Sequence, residues 1–131
     1  MNKFFRFCLV GAVGFVTDFG ALYLATQFFG LNSLGGRMLS FLIAATVTWK
    51  LNRHFTFVQA GKGSGGEWLR YLLLTSVGGG VNILVYQVWL WLTDHRAVNL
   101  FIGVALGSAV ALAFNFMLSK RLVFVKPNEG Q

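Results

Sequence analysis

TWKLNRHFTF, residues Thr48 to Phe57, ends one long apolar segment of this chain, and NFMLSKRLVF, residues Asn115 to Phe124, ends another. Overlaid at an offset of 67 residues, the two stretches set Trp49 on Phe116, Arg53 on Lys120 and Phe57 on Phe124. Further toward the N-terminus, each ending is preceded by a second apolar segment. These open on Arg6-Phe7 and Arg70-Tyr71, and they align at an offset of 64, with Gly14 on Gly78 and Asp18 on Asn82. One unit of two apolar segments is therefore written twice. A duplicated pair of spans, with basic residues at equivalent ends, points to a pseudo-symmetric protein embedded in lipid.

Composition agrees with that class. Hydrophobic residues make up 56% of the 131 positions and charged residues 11%, and mean hydropathy is +0.65. A soluble domain carries roughly a quarter charged residues. The net charge of +7 sits beside apolar spans and forms no basic face, which argues against nucleic acid. A single cysteine, Cys8, excludes an internal disulfide, and His54 and His95 lie far apart without ligand-like spacing, so neither a metal nor another cofactor is expected. Lys3 and Arg6 before an apolar run resemble a signal peptide. No small-x-small pattern ends that run cleanly and further spans follow, so it is read as retained.

A bilayer requires about 20 apolar residues per helix. Four candidates meet this, roughly Phe7–Phe29, Leu34–Leu51, Leu69–Leu92 and Val98–Leu118. The expected fold is an all-α integral membrane domain over residues 1–131. Repeat 1 covers about 5–58, a glycine-rich linker about 60–66, and repeat 2 about 67–125. The linker, Gly61-Lys62-Gly63-Ser64-Gly65-Gly66, reads as a flexible joint. Lys3, Arg6, Lys50, Arg53, Lys62, Arg70, Lys120, Arg121 and Lys126 fall on one side, and only Arg37 and Arg96 on the other. Both termini are therefore expected to be cytoplasmic, and the two-helix repeats to be parallel. Gly103, Gly107 and Ala111 form a small-xxx-small stripe for close helix contact; Gly11, Gly14 and Gly78-Gly79-Gly80 notch the first helix of each repeat and read first as packing positions, the glycine triplet also inviting a local break.

Polar residues inside the spans are the functional candidates. At a rise of about 1.5 Å per residue, Asp18 and Asn82 lie roughly 18 Å above the basic boundary, near mid-membrane. Arg37, about 24 Å up its own span, is within snorkelling reach of Asp18. That leaves two readings of Asp18, a structural pair with Arg37 or a role in transport. Lys50, Arg53 and His54 have i, i+3, i+4 spacing and share a face if the helix continues; the second copy supplies Lys120 and Arg121. Such cations at the cytoplasmic headgroup level either anchor topology or hold lipid phosphates. Asn52 and Asn115 lie near them with amides able to hydrogen-bond a phosphate or sugar. Trp49, Trp68, Trp89, Trp91 and Tyr71 fit interfacial belts.

The chain resembles the GtrA-like family of small four-span bacterial membrane proteins, from about Phe5 to Phe124. The likeness rests on the opening Arg6, Phe7, Val10, Gly11, Asp18, and on an NF-x-x-NR-x-x-x-F type ending after both hairpins. The first copy has Thr48-Trp49 in place of Asn-Phe, and the second Ser119-Lys120 in place of Asn-Arg. The resemblance implies handling of polyprenyl-phosphate-linked sugars, such as undecaprenyl-phosphate-glucose, at the bacterial inner membrane for cell-surface polysaccharide modification. It also implies partner glycosyltransferases that load and use the carrier.

The leading expectation is a lipid-carrier translocase. Arg53 and Lys120, helped by Lys50 and Arg121, would capture the phosphate. Asp18, Asn82, Thr46, Asn52 and Asn115 would meet the sugar along a polar passage. Four helices make a thin wall for such a passage, so a homo-oligomer is expected. Two other classes stay open, a non-transporting membrane partner of a glycosyltransferase and a small multidrug exporter. The nine-to-two split of basic residues argues against the exporter. Catalysis is not expected, because no nucleophile–base–orienter set and no paired carboxylates are in evidence; Glu67 and Glu129 are read in flexible polar segments.

Overall fold

Asn2, Asn32 and Ser64 each offer a side-chain oxygen to the backbone of a helix about to begin. They accept hydrogen bonds from the N–H groups of Phe5 (2.7 Å), Gly35 (2.7 Å) and Glu67 (3.1 Å), donors that a helix start would leave unpaired. The computed structural model describes residues 1–125, so Lys126 and Glu129 lie outside the described residues. Helices α1 (Lys3–Gln27), α2 (Ser33–Leu51), α3 (Gly65–Leu92) and α4 (Ala97–Leu118) make up the fold, with no strand among the described residues. α1, α3 and α4 are long and apolar enough to cross a membrane. α2 has 19 residues, about 28 Å of helix, and carries Arg37, Ser40, Thr46, Thr48 and Lys50 among its apolar residues. The outward faces are strongly apolar: Phe15, Phe19, Phe28, Phe29, Phe101 and Trp91 are all exposed. Apolar surface on that scale belongs in lipid.

Short turns fold α1 onto α2 and α3 onto α4, giving two helical hairpins. The α3–α4 turn is tied by Asp94, which accepts from the Arg96 backbone N–H (3.1 Å), the Arg96 Nε (2.8 Å) and the Asn99 side chain (2.6 Å). The Arg96 backbone N–H, followed by the Asn99 amide, holds the Asp94 carboxyl below the usual carboxylate range.

Each hairpin closes along a stripe of small residues. In the second hairpin Gly103, Gly107 and Ala111 are buried against α3. A Cβ on Gly103 would meet the Tyr86 and Trp89 rings, and one on Gly107 would meet Asn82. In the first hairpin Gly36, Ser40, Ala44 and Thr48 are buried in the same way. A Cβ on Gly36 would meet Thr26, Leu22 and Ala25 of α1. These positions coincide with Gly103, Gly107, Ala111 and Asn115 at the offset of 67. The crossing contacts repeat too: a Cβ on Gly14 would lie 2.5 Å from the Thr48 Cγ2, and one on Gly78 would run into the Asn115 amide. α3 runs unbroken through Gly78-Gly79-Gly80. Of the two readings of these glycines, close packing and a local break, the helix follows the first, with Gly78 packed on Asn115.

Both α2 and α4 finish in a π-helical turn, Asn52–Thr56 and Ser119–Val123. The Phe57 N–H reaches back to the Asn52 carbonyl and the Phe124 N–H to that of Ser119, each at 2.8 Å. The wider turn swings Phe57 and Phe124 inward, where their rings stack at 4.8 Å with 17° between planes. Phe7, Phe116, Trp49, Tyr71 and Val123 pack around that stack, with Phe7 edge-on to Phe116 at 5.5 Å. This aromatic cluster is the core joining the hairpins at their basic end. Trp49 and Tyr71, expected in an interfacial belt, belong to it, whereas Trp91 stays 83% exposed.

Candidate functional site

Above the aromatic core all four helices line a cavity of about 230 Å³. α1 contributes Phe7, Gly11, Gly14, Phe15 and Asp18; α2 contributes Phe41, Ala44, Ala45 and Thr48, with Asn52 just beyond it. Tyr71 and Thr75 come from α3, and Leu112 and Asn115 from α4. The glycines matter here because their missing side chains leave the space. A cavity of this size holds on the order of seven waters, about the bulk of a single sugar ring.

Its polar wall is built from a directed chain of hydrogen bonds. Thr56 donates to the Asn52 side-chain Oδ1 (2.8 Å), the Asn52 side-chain amide Nδ2 donates to the Tyr71 hydroxyl (3.0 Å), and Tyr71 donates to Thr48 Oγ1 (3.0 Å). Thr48 closes the chain on the Ala45 carbonyl (3.1 Å). Every member is satisfied, which makes such a network rigid at low dielectric. It holds Asn52 in place on the wall.

Two acceptors on the same wall are not satisfied. Asp18 Oδ1 and Asn115 Oδ1 are buried without a hydrogen-bond partner among the described residues. The other Asp18 oxygen is taken, since Arg37 Nη1 lies 2.7 Å from Oδ2. Arg37 thus holds the carboxylate through one oxygen and leaves the other buried and unpaired. Buried polar atoms are normally paired, so two acceptors left unpaired on residues that line one cavity mark it as a candidate site for a hydrogen-bond donor such as a sugar hydroxyl. The Asn115 oxygen packs against Gly78 of α3.

The other expected passage residues lie elsewhere. Asn82 packs on Gly107 of α4, away from the cavity. Thr46 accepts from Trp68 Nε1 (3.0 Å) and donates to the Leu42 carbonyl (2.7 Å), outside the cavity wall.

Among the basic residues, Arg53 departs furthest from expectation. Its guanidinium pairs with Glu67 at 2.6 Å and donates to the carbonyls of Ala60 (2.7 Å) and Gly61 (3.2 Å). Glu67 also accepts from Trp49 Nε1 at 2.9 Å. With side chains 6% and 13% exposed, this pair straps the linker to the bundle, and Arg53 is already engaged rather than open to a lipid phosphate. Arg53 is buried whereas Lys50 and His54 are exposed, so the three do not form one open basic face. The linker is correspondingly anchored, with Gly63 packed against Trp49 and Arg53. Lys50, Lys120 and Arg121 remain exposed at the basic end. Arg6 donates to the Phe55 carbonyl (3.0 Å) and lies 5.2 Å from the centre of the Phe55 ring.

Glu67 and Tyr71 are the site residues that sequence reasoning missed. The repeat carried the signal for both, because at the offset of 64 Glu67 falls on Lys3 and Tyr71 on Phe7. A reversed charge and an added hydroxyl at equivalent positions mark where the two copies have diverged in role.

The chain is 25% identical over 119 residues to YngA, an uncharacterized membrane protein of Bacillus subtilis (strain 168), an alignment spanning 91% of this chain and 77% of that protein. The family model for the GtrA/DPMS transmembrane domain matches residues 6–127. The match takes in both hairpins, both π turns and every residue of the cavity wall, and the protein belongs to the GtrA/DPMS transmembrane-domain family.

Proposed function

We propose that this protein binds a polyprenyl-phosphate carrier, with its sugar, in the cytoplasmic membrane of a bacterium and moves it between leaflets. Family membership is consistent with a role around such lipids. The observation that carries the proposal is the cavity shared by all four helices, lined by Asp18 and Asn115, each of which keeps a buried oxygen without a partner. In this reading sugar hydroxyls donate to those oxygens, Phe15 and Phe41 face the ring, and the prenyl chain stays in lipid. Lys50, Lys120 and Arg121 meet the phosphate at the headgroup level. The two hairpins are parallel repeats, α2 is the fourth crossing, both termini are cytoplasmic, and a homo-oligomer completes the wall. The protein supplies binding and passage, and partner glycosyltransferases supply the chemistry.

The unbroken α3 favours a second reading, in which the protein captures the carrier and presents it to a transferase without moving it. Native mass spectrometry of protein gently extracted from its membrane tests the shared premise. A retained polyprenyl phosphate, lost on Asp18→Asn with Asn115→Ala, is the expected result. Bulk phospholipid alone, unchanged by the variants, overturns both readings.

A further inference from the structure

The strap between Arg53 and Glu67 joins the end of the first hairpin to the start of the second; its counterpart joins the end of the second to the start of the first, and there the charges do not match. Lys120 stands where Arg53 does at the offset of 67, and Lys3 stands where Glu67 does at the offset of 64. In the first position a cation and a carboxylate meet at 2.6 Å. In the second, two lysines line one cavity of about 190 Å³, with Gln59 and the stacked Phe57 and Phe124. Gln59 is held there, its Nε2 donating to the Phe124 carbonyl at 3.2 Å. Lys3 also lies in the first turn of α1, where the helix dipole adds positive potential. Like charges drawn to one cavity repel one another beside a low-dielectric aromatic wall. A multivalent oxygen anion between them removes that cost, and lysine serves phosphate as a point charge without needing the fork geometry of arginine.

We propose that Lys3 and Lys120 form a phosphate-binding site at the position equivalent to the Arg53–Glu67 pair. Each pair joins the end of one hairpin to the start of the other: Arg53 of the first with Glu67 of the second straps the linker, and Lys120 of the second with Lys3 of the first receives the anion. This deepens the lipid-carrier reading and rests on it for the source of the phosphate, either the carrier's headgroup or free phosphate.

The test uses the full-length protein in detergent, titrated at fixed ionic strength with inorganic phosphate and, separately, with farnesyl phosphate as a short prenyl carrier. Lys3→Gln and Lys120→Gln are each expected to weaken binding about tenfold or more, the loss of one charge-assisted contact. Lys3→Glu, which reproduces the charge pattern of the Arg53–Glu67 pair, should abolish it, and Lys62→Gln should leave it unchanged. Melting temperature and elution volume establish that the variants fold, and Lys3→Gln, on an exposed side chain, keeps the test open if Lys3→Glu does not fold. Loss of farnesyl phosphate binding in the variants supports the site and its lipid source. Binding of inorganic phosphate alone, sensitive to the same variants, supports the site and removes the lipid reading. Farnesyl phosphate binding indifferent to Lys3 and Lys120 overturns the site and leaves the carrier function standing. Binding of neither ligand by the unaltered protein overturns both.

Discussion

Glu67 shows how one residue sets the role of its neighbours. Without it, the Arg53 guanidinium would keep only two backbone carbonyls as partners in a nearly closed environment. Removing one member of a buried pair costs about 3–5 kcal/mol, because the remaining charge stays buried. Glu67→Gln is accordingly expected to lower stability by about 3 kcal/mol, read as a large drop in melting temperature in detergent. The double variant Arg53→Met with Glu67→Leu should recover most of it, since neither charge then remains. A Glu67→Gln protein that melts with the parent would show that the strap contributes nothing. At this scale the sequence was legible in part. The reach of Arg37 to Asp18 followed from helical rise alone. The capture of Arg53 did not, because the π turn that points it toward Glu67 depends on backbone hydrogen bonding and leaves no periodicity in side-chain type.

Helix ends were legible where an apolar run stops sharply. The sequence places the ends of α2, α3 and α4 at Leu51, Leu92 and Leu118, and the helices end there. Starts were read late: α3 begins at Gly65 and not Leu69, because a polar first turn capped by Ser64 is helical without being apolar. The stripe of α4 was visible as glycines, whereas its counterpart in α2 was obscured by Ser40 and Thr48, polar side chains that serve as small ones. Packing separates glycines that look alike in sequence. Gly78 faces the Asn115 amide with no room for a methyl group, whereas nothing lies within 4 Å of a Cβ on Gly79. Gly78→Ala should therefore destabilise the second hairpin by about 1–3 kcal/mol through overpacking. Gly79→Ala should be neutral or stabilise by up to about 1 kcal/mol through helix propensity. Thermal unfolding followed by circular dichroism distinguishes the two, and equal shifts would contradict the packing described for α3 and α4.

Across the whole molecule the two hairpins share a frame and differ in what it carries. Equivalent glycines, π turns and phenylalanines build the joint, and the substitutions between copies (Asp18 for Asn82, Glu67 for Lys3, Tyr71 for Phe7) specialise its two sides. The cavity wall draws Asp18 and Thr48 from one hairpin and Tyr71 and Asn115 from the other, a convergence no single segment could reveal. Asn82 and Thr46, polar and of suitable depth, fell outside it because depth does not specify the direction a helix face takes. The central claim is that this shared cavity passes a sugar-bearing carrier. Its most direct test is transbilayer movement of a fluorescent short-chain polyprenyl-phosphate sugar in vesicles holding the purified protein, followed with a membrane-impermeant quencher. The account predicts that the unaltered protein exposes nearly the whole lipid pool, and that Asp18→Asn with Asn115→Ala slows this about tenfold or more. Exposure no faster than in protein-free vesicles, with the lipid still bound, would contradict it.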